Sequence, residues 1–194
     1  PISLKKYKKL VEKNPSNIAA RYGLSLALVK NSSFEEAVNE FEALRPRLPN
    51  TILMLAAYAE ILASAGQHQK AEKIVEKRLA ISPDNQPLSM IHAKTLIATK
   101  RFKEAEKILI RLSKVRPNDV DIWYELAETS GLAGNISGVH IARAEYFVLH
   151  GAYTRSIQHL EYAKSLTRGN NPQLQAKLAQ QIQDLKTQVR LAKG

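Results

Sequence analysis

The residues best able to do chemistry in this sequence are its histidines, and their spacing argues against catalysis. They are His68, His92, His140, His150 and His159. No two of them stand four residues apart around a glutamate, as a zinc-binding helix with a general base requires. Gly131, Gly134 and Gly138 flank a helix–helix turn rather than a strand–helix junction, so they do not form a phosphate loop. We therefore predict no catalytic residue, and no metal or cofactor site, in this chain.

A run of carboxylates is better suited to binding than to catalysis. Asp121, Glu125 and Glu128 are spaced four and three residues apart, which places them on one face of a helix. Residues 119–128 contain four acids and no base, whereas residues 100–116 contain seven bases and two acids. This pattern favours an acidic wall beside a basic helix, or simply two solvated helix faces, and the sequence leaves both readings open.

The elements that must position these residues are marked by four equally spaced prolines, Pro15, Pro49, Pro83 and Pro117. Proline ends a helix because it lacks an N–H and its ring clashes with the preceding turn. Each proline is followed within two residues by an Asn or Asp that can cap the next helix. A fixed period of about 34 residues predicts an array of helical repeats.

Composition narrows the class of protein without identifying it. The 194 residues include no cysteine, which excludes disulfides and Cys-ligated metals, and no apolar run reaches the length of a membrane span. The net charge of +11 is spread evenly, with 14 Lys/Arg against 9 Asp/Glu in residues 1–97 and 15 against 9 in residues 98–194. Because the bases are not clustered and aromatics are few, we expect solvated helix faces rather than nucleic-acid binding.

The period divides the chain into units. The expected boundaries are 1–17 for the second helix of a truncated repeat, 18–51, 52–85 and 86–119 for three whole repeats, 120–167 for an irregular pair, and 168–194 for a capping helix. The first helix carries an apolar stripe that a preceding helix would cover, so we expect a fragment of a longer protein. In the irregular pair, Gly151 stands where proline is due, and a new helix pair begins half a repeat early. We interpret helix 138–150 as shared by two repeats.

The repeats resemble the tetratricopeptide (TPR) family. Its pattern of W-x2-L-G-x2-Y, A-x3-F and P is matched in part by Trp123-x2-Leu126 and in full by Ala37-x3-Phe41. Ser130 stands where the pattern has Tyr. The resemblance implies an all-α, right-handed solenoid of helix hairpins with about eleven helices. It also implies that Trp123 lies inside its hairpin.

The same register assigns a partner-binding groove. The residues expected to line the inner face of the first helices are Tyr22, Leu26, Ala56, Glu60, Met90, Lys94, Asp121, Tyr124 and Glu128. We expect aromatic and apolar members to anchor a protein or peptide, and charged members to give selectivity.

A narrower resemblance lies in residues 140–166. The run Ala142-Arg143-Ala144-Glu145, followed by Gly151 and Ile157-x2-Leu160, is similar to the C-terminal TPR region of BepA-like periplasmic zinc metalloproteases. The family places an HExxH protease domain before the TPR arm, and this chain contains no HExxH. The resemblance implies zinc in a separate protease domain. It also implies that the arm contacts its own protease domain, substrate and outer-membrane assembly partners in the periplasm.

Two residues of that run carry charge on the shared helix. Arg143 and Glu145 are expected to form either fold-specific ion pairs or contacts to another domain. The function that follows from both resemblances is protein recognition for a periplasmic zinc metalloprotease. The alternatives are a free-standing cytosolic TPR scaffold and, less favoured, a basic RNA-binding helical array.

Overall fold

The computed structural model describes residues 2–169 and 171–191, and all regular structure in these ranges is helical. It confirms the all-α fold with eleven α-helices in the described residues, joined by short loops and one 3₁₀ turn at Arg45–Arg47. The helices are α1 (Ile2–Lys13), α2 (Ile18–Lys30), α3 (Phe34–Leu44), α4 (Ile52–Ser64), α5 (His68–Leu79), α6 (Gln86–Ala98), α7 (Phe102–Val115), α8 (Val120–Leu132), α9 (Ile136–Leu149), α10 (Tyr153–Leu166) and α11 (Pro172–Leu191). The chain forms two compact units, Pro1–Thr99 and Lys100–Gly194.

Each first helix of a repeat begins at a capping residue two positions after one of the equally spaced prolines. The caps are Asn17, Thr51, Asn85 and Asp119. Each side-chain oxygen accepts a hydrogen bond from a backbone N–H in the first turn, for example from Leu88 to Asn85 Oδ1 at 3.1 Å. These bonds satisfy donors that the helix itself leaves unpaired. The helices therefore start where the sequence predicts, with Thr51 acting as the cap in place of its neighbour Asn50.

A backbone turn with positive φ recurs with the same period. Ser32, Gly66, Lys100 and Gly134 all adopt positive φ, between 59° and 80°. This left-handed conformation ends a helix, and glycine adopts it without the steric cost that Ser and Lys incur. The next such residue, Gly151 at φ 70°, follows after half the usual interval. The shortened period seen in the sequence is thus a real turn in the backbone.

The core of the first unit is built from small residues that let helices approach and aromatics that fill the gaps. Ala37 and Ala71 are fully buried. Phe41 stacks on Tyr58 with ring centroids 5.3 Å apart and planes 4° from parallel, and it contacts Tyr22 at 6.0 Å. This cluster joins α2, α3 and α4, so it holds one hairpin against the next.

Helix α1 is better covered than the sequence suggested. The apolar stripe of this helix consists of Leu4, Tyr7, Leu10 and Val11. Leu4, Tyr7 and Val11 pack against the core of the first unit, whereas Leu10 is exposed. Gly23 on α2 makes this possible, because a Cβ there would collide with the Tyr7 ring. The expectation of an exposed apolar stripe is therefore wrong for most of its length.

In the second unit α9 packs along α8 on one side and along α10 on the other. This is the arrangement that a shared helix requires, although the repeat boundaries themselves stay a prediction. Helix α11 covers α10 through an apolar stripe; its buried members are Leu178, Ile182 and Leu185.

The expectation that Trp123 lies inside its hairpin is wrong. The side chain is half-buried and is not one of the buried core residues. The indole N–H instead donates a hydrogen bond to the Pro117 carbonyl, at 2.6 Å. The tryptophan therefore stabilises the loop before α8 and is not a core residue of the hairpin.

Candidate functional site

An open cleft of about 410 Å³ lies on the first unit, between three successive first helices. Its walls come from α2, α4 and α6, and the residues that line it are Leu26, Val29, Lys30, Ala57, Glu60, Ile61, Ala63, Ser64, Ile91 and Lys94. Most of these side chains are apolar, and the charged ones come from three different helices. A cleft of this composition suits a segment of another polypeptide that inserts apolar side chains.

Three of the sequence-predicted groove residues meet in this cleft. Leu26, Glu60 and Lys94 occupy the same position in successive repeats, and all three line it. Their side chains are exposed, Leu26 at 38%. Equal spacing therefore does bring an apolar, an acidic and a basic side chain to one surface, as a stack of equivalent helices should.

The residues predicted one turn earlier do not line the cleft. Tyr22 is half-buried, Ala56 is only 8% exposed, and Met90 is half-buried. Burial, and secondarily the negative charge of Glu60, raise the pKa of the Tyr22 phenol. These side chains belong more to the packing beneath the groove than to its surface, although their part in binding stays a prediction.

The apolar floor of the cleft was not predicted from the sequence. Val29, Ile61 and Ile91 line it from α2, α4 and α6. Ile61 and Ile91 are almost fully buried, at 2% and 5% exposure. A signal was available, because each of these residues lies one to three positions from a predicted groove residue on the same helix.

A smaller pocket of about 160 Å³ lies beside Tyr58, at the loop between α3 and α4. The Tyr58 hydroxyl donates to Glu42 Oε1 at 2.7 Å, and the Arg45 guanidinium lies 4.9 Å from the ring centroid. Burial and the hydrogen bond to Glu42 raise the pKa of Tyr58 to about 12. The phenol is therefore a structural donor at neutral pH.

In the second unit, three predicted residues gather on the surface formed by α8 and α9. Glu128 Oε1 accepts from Arg143 Nη2 at 3.5 Å, with side-chain exposures of 51% and 47%. Tyr124, 55% exposed, lies one turn away with its ring centroid 6.2 Å from that of Tyr146. We call this group (Tyr124, Glu128, Arg143 and Tyr146) the α8–α9 face.

Asp121 and Glu145 lie apart from the contacts of this face. The Asp121 side chain is exposed at the start of α8, where its backbone N–H donates to Asp119 Oδ1. Glu145 accepts a hydrogen bond from Gln181 of α11 at 3.0 Å. The two charges of the shared helix therefore serve different neighbours: Arg143 reaches back to α8, and Glu145 reaches forward to α11.

Comparison with known proteins identifies the class. Two tetratricopeptide-repeat family models match residues 1–51 and 62–129. A crystal structure of a tetratricopeptide repeat protein from Parabacteroides merdae is similar to this chain, with a TM-score of 0.60 at 16% identity. The match covers 93% of this chain and 76% of that protein's chain. YrrB, described as a TPR protein with an unusual peptide-binding site, covers 81% of this chain, with 81% of its own chain covered, at a TM-score of 0.57 and 15% identity. The chain is a tetratricopeptide-repeat protein.

The sequence relatives include proteases with a role in β-barrel assembly. The beta-barrel assembly-enhancing protease of Yersinia pestis is 28% identical over 150 residues, which is 76% of this chain and 30% of that protein. A putative beta-barrel assembly-enhancing protease of Vibrio cholerae is 30% identical over 79 residues, 41% of this chain and 16% of that protein. The chain thus spans less than a third of the length of these relatives. Among its described helices, none is both long and apolar enough to cross a bilayer.

Proposed function

We propose that this chain is the protein-recognition part of a periplasmic zinc metalloprotease of the β-barrel assembly-enhancing type. The TPR fold supports a protein–protein interaction module. We propose that the module recruits substrate or outer-membrane assembly partners to a zinc-dependent protease domain. The similarity to beta-barrel assembly-enhancing proteases supports this role. The observation that carries the proposal is the α2–α4–α6 cleft, in which Leu26, Glu60 and Lys94 surround an apolar floor.

The chemistry of the cleft suggests the kind of segment that it binds. Apolar side chains of the partner would bury the exposed surface of Leu26 and of the partly exposed Val29, and this burial supplies most of the affinity. Lys30 and Lys94 present positive charge from two helices, and Glu60 presents negative charge between them in the repeat order. We therefore expect an apolar anchor in the bound segment, next to an acidic residue that pairs with a lysine.

A structural neighbour supports peptide binding as the mode of recognition. YrrB is described as having a peptide-binding site, and its fold covers most of this chain. An extended or helical peptide is a ligand that a row of equivalent helices can contact repeatedly, because the same register position recurs on each helix.

The proposal is tested by capture from a Gram-negative envelope extract, followed by mass spectrometry. The wild-type chain should retain outer-membrane β-barrel or assembly proteins, and a Leu26→Glu, Lys94→Glu variant should lose them. Leu53→Glu is the matched control, since Leu53 is 68% exposed on α4 and does not line the cleft. Capture of the same proteins by all three forms would contradict binding in the cleft.

Two further observations test the alternatives. The reading frame upstream of this chain is expected to encode an HExxH protease domain; a complete cytosolic protein without one would favour a free-standing scaffold. Binding of RNA with a steep loss of affinity as salt is raised would favour the helical array for nucleic acid.

A further inference from the structure

Three potential metal ligands from two helices of the first unit converge on one point. Glu72 and Glu76 are four residues apart on α5, and His92 lies on α6. His92 Nε2 is 3.6 Å from Glu72 Oε1 and 3.7 Å from Glu76 Oε1. One ligand atom from each residue lies within 4.8 Å of the others.

The two separations from His92 Nε2 are closer to those of ligands that share an ion than to those of hydrogen-bonded partners. A hydrogen bond from an imidazole nitrogen to a carboxylate oxygen would measure about 2.7–3.2 Å. Ligands about 2.0–2.2 Å from a tetrahedral zinc ion are about 3.3–3.6 Å from each other by simple geometry. Of the two distances from His92 Nε2, the one of 3.6 Å lies at the upper limit of the second range and the one of 3.7 Å lies just beyond it, and both exceed the hydrogen-bond range.

The environment of His92 Nε2 also favours a bound cation. Nε2 is shut off from solvent and makes no hydrogen bond, and the side chain as a whole is 15% exposed. A buried polar atom without a hydrogen bond is costly, so it calls for a physical reason. A cation held between this nitrogen and two carboxylates would satisfy it and neutralise their charge.

The residues equivalent to this cluster in the preceding repeat, 34 positions earlier, make a direct contact instead of an ion site. Shifting Glu76 and His92 back by one repeat gives Glu42 and Tyr58, whose side chains close on each other in a 2.7 Å hydrogen bond. The same shift turns Glu72 into the buried Val38. The later repeat thus differs at two positions, and both differences introduce a metal-ligating group.

We propose that Glu72, Glu76 and His92 form a zinc-binding site that ties α5 to α6. An imidazole with two carboxylates is a donor set that suits Zn²⁺. Glu76 is 55% exposed, so the fourth position of the ion is accessible to water or to a ligand from a partner. The site is independent of the proposed function, and it revises the expectation, drawn from histidine spacing alone, that this chain holds no metal.

The test is titration of the 194-residue chain with zinc chloride near pH 7.5, followed by calorimetry and thermal unfolding. One equivalent should bind and raise the melting temperature, because an ion that binds the folded state stabilises it. Glu76→Gln and His92→Gln should each weaken binding by roughly tenfold or more, since each removes a ligand. Glu76 is exposed, so its variant tests the site even if His92→Gln fails to fold as judged by circular dichroism.

Two control variants show whether zinc binds at this cluster or elsewhere on the chain. Glu42→Gln removes a carboxylate at the equivalent position of the preceding repeat and should leave zinc binding unchanged. His159→Gln removes a histidine of the second unit, whose Nδ1 lies 2.9 Å from that of His140, and should also leave zinc binding unchanged. Loss of binding in His159→Gln but not in His92→Gln, or no binding by the wild-type chain at millimolar zinc, would overturn the proposal.

Discussion

The imidazoles of His140 and His159 face each other across α9 and α10, with their Nδ1 atoms 2.9 Å apart. One nitrogen must donate and the other accept, so at least one ring carries no proton at that atom. His140 also stacks on Tyr162, and His159 on Phe147, with ring centroids 5.2 and 5.3 Å apart. The pair is therefore part of the packing between the two helices.

This pair predicts a loss of stability in mild acid. Burial lowers the pKa of both histidines below the ordinary 6.5, the positive charge of Arg143 lowers both further, and His140 also lowers that of His159. The folded chain then binds fewer protons than the unfolded chain, so stability is fully present above about pH 6.5 and falls as the pH drops below it. Urea unfolding at pH 7.5 and 5.5 should show a lower free energy of unfolding in acid.

Substitution of one partner checks the origin of that pH dependence. His159→Gln should reduce the difference between the two pH values, because it removes one of the two histidines whose pKa is lowered. His150→Gln is the control, since His150 is exposed and its ring contacts Tyr146 of the same helix, with Nδ1 2.8 Å from the Tyr146 carbonyl oxygen. An unchanged pH dependence in His159→Gln would place its origin elsewhere.

Truncation of Phe41 should be among the most destabilising changes in the first unit. The side chain is 1% exposed and contacts the rings of Tyr22 and Tyr58. Phe41→Ala would leave a cavity between three helices and cost about 3–5 kcal/mol. Leu53→Ala, at a site 68% exposed, should change the free energy of unfolding by less than about 0.5 kcal/mol. Equal effects in chemical denaturation would contradict this account of the core.

Position 23 should not accommodate even the methyl side chain of alanine. A Cβ there would collide with the ring of Tyr7, although Gly→Ala within a helix is otherwise favourable by about 1 kcal/mol. We expect Gly23→Ala to destabilise the chain and to expose α1 to limited proteolysis. In a Tyr7→Ala background the same change should become neutral or stabilising, and a double-mutant cycle measures this coupling.

The capping residues should each contribute a moderate and similar amount. Asn85 accepts a hydrogen bond from the Leu88 N–H, and Asn17 accepts one from the Ala20 N–H. Asn85→Ala should cost about 1 kcal/mol, and Asn85→Asp should cost much less, since Asp caps equally well. Thermal unfolding of the two variants compares them directly; equal losses would show that the cap is not the cause.

The α8–α9 face should matter for binding more than for stability. The Glu128–Arg143 pair is about half exposed at both ends, so Glu128→Ala should cost less than about 1 kcal/mol. If this face and the exposed Asp121 of the same helix α8 recognise a partner, Glu128→Ala and Asp121→Ala should weaken peptide binding while the melting temperature stays nearly constant. Unchanged affinity for every tested partner would favour two solvated helix faces.

Local chemistry accounts for the features that were predictable from the residues alone. The prolines and the caps that follow them start the helices, and the positive-φ turn residues end them, because each acts within a few residues of chain. The repeat period then follows, and with it the all-α fold and the meeting of Leu26, Glu60 and Lys94 on one surface. These inferences needed only equivalent positions on equivalent helices.

The remaining features depend on contacts between residues that are distant in sequence. The register gave no reason to expect that Tyr22 turns toward Phe41, that Trp123 bonds to Pro117, or that Ile61 and Ile91 form the floor of the cleft. The same holds for His92 between two glutamates and for His140 against His159. Repetition dictates which positions are equivalent, but the side chains differ from one repeat to the next, so packing between helices determines what each position contacts.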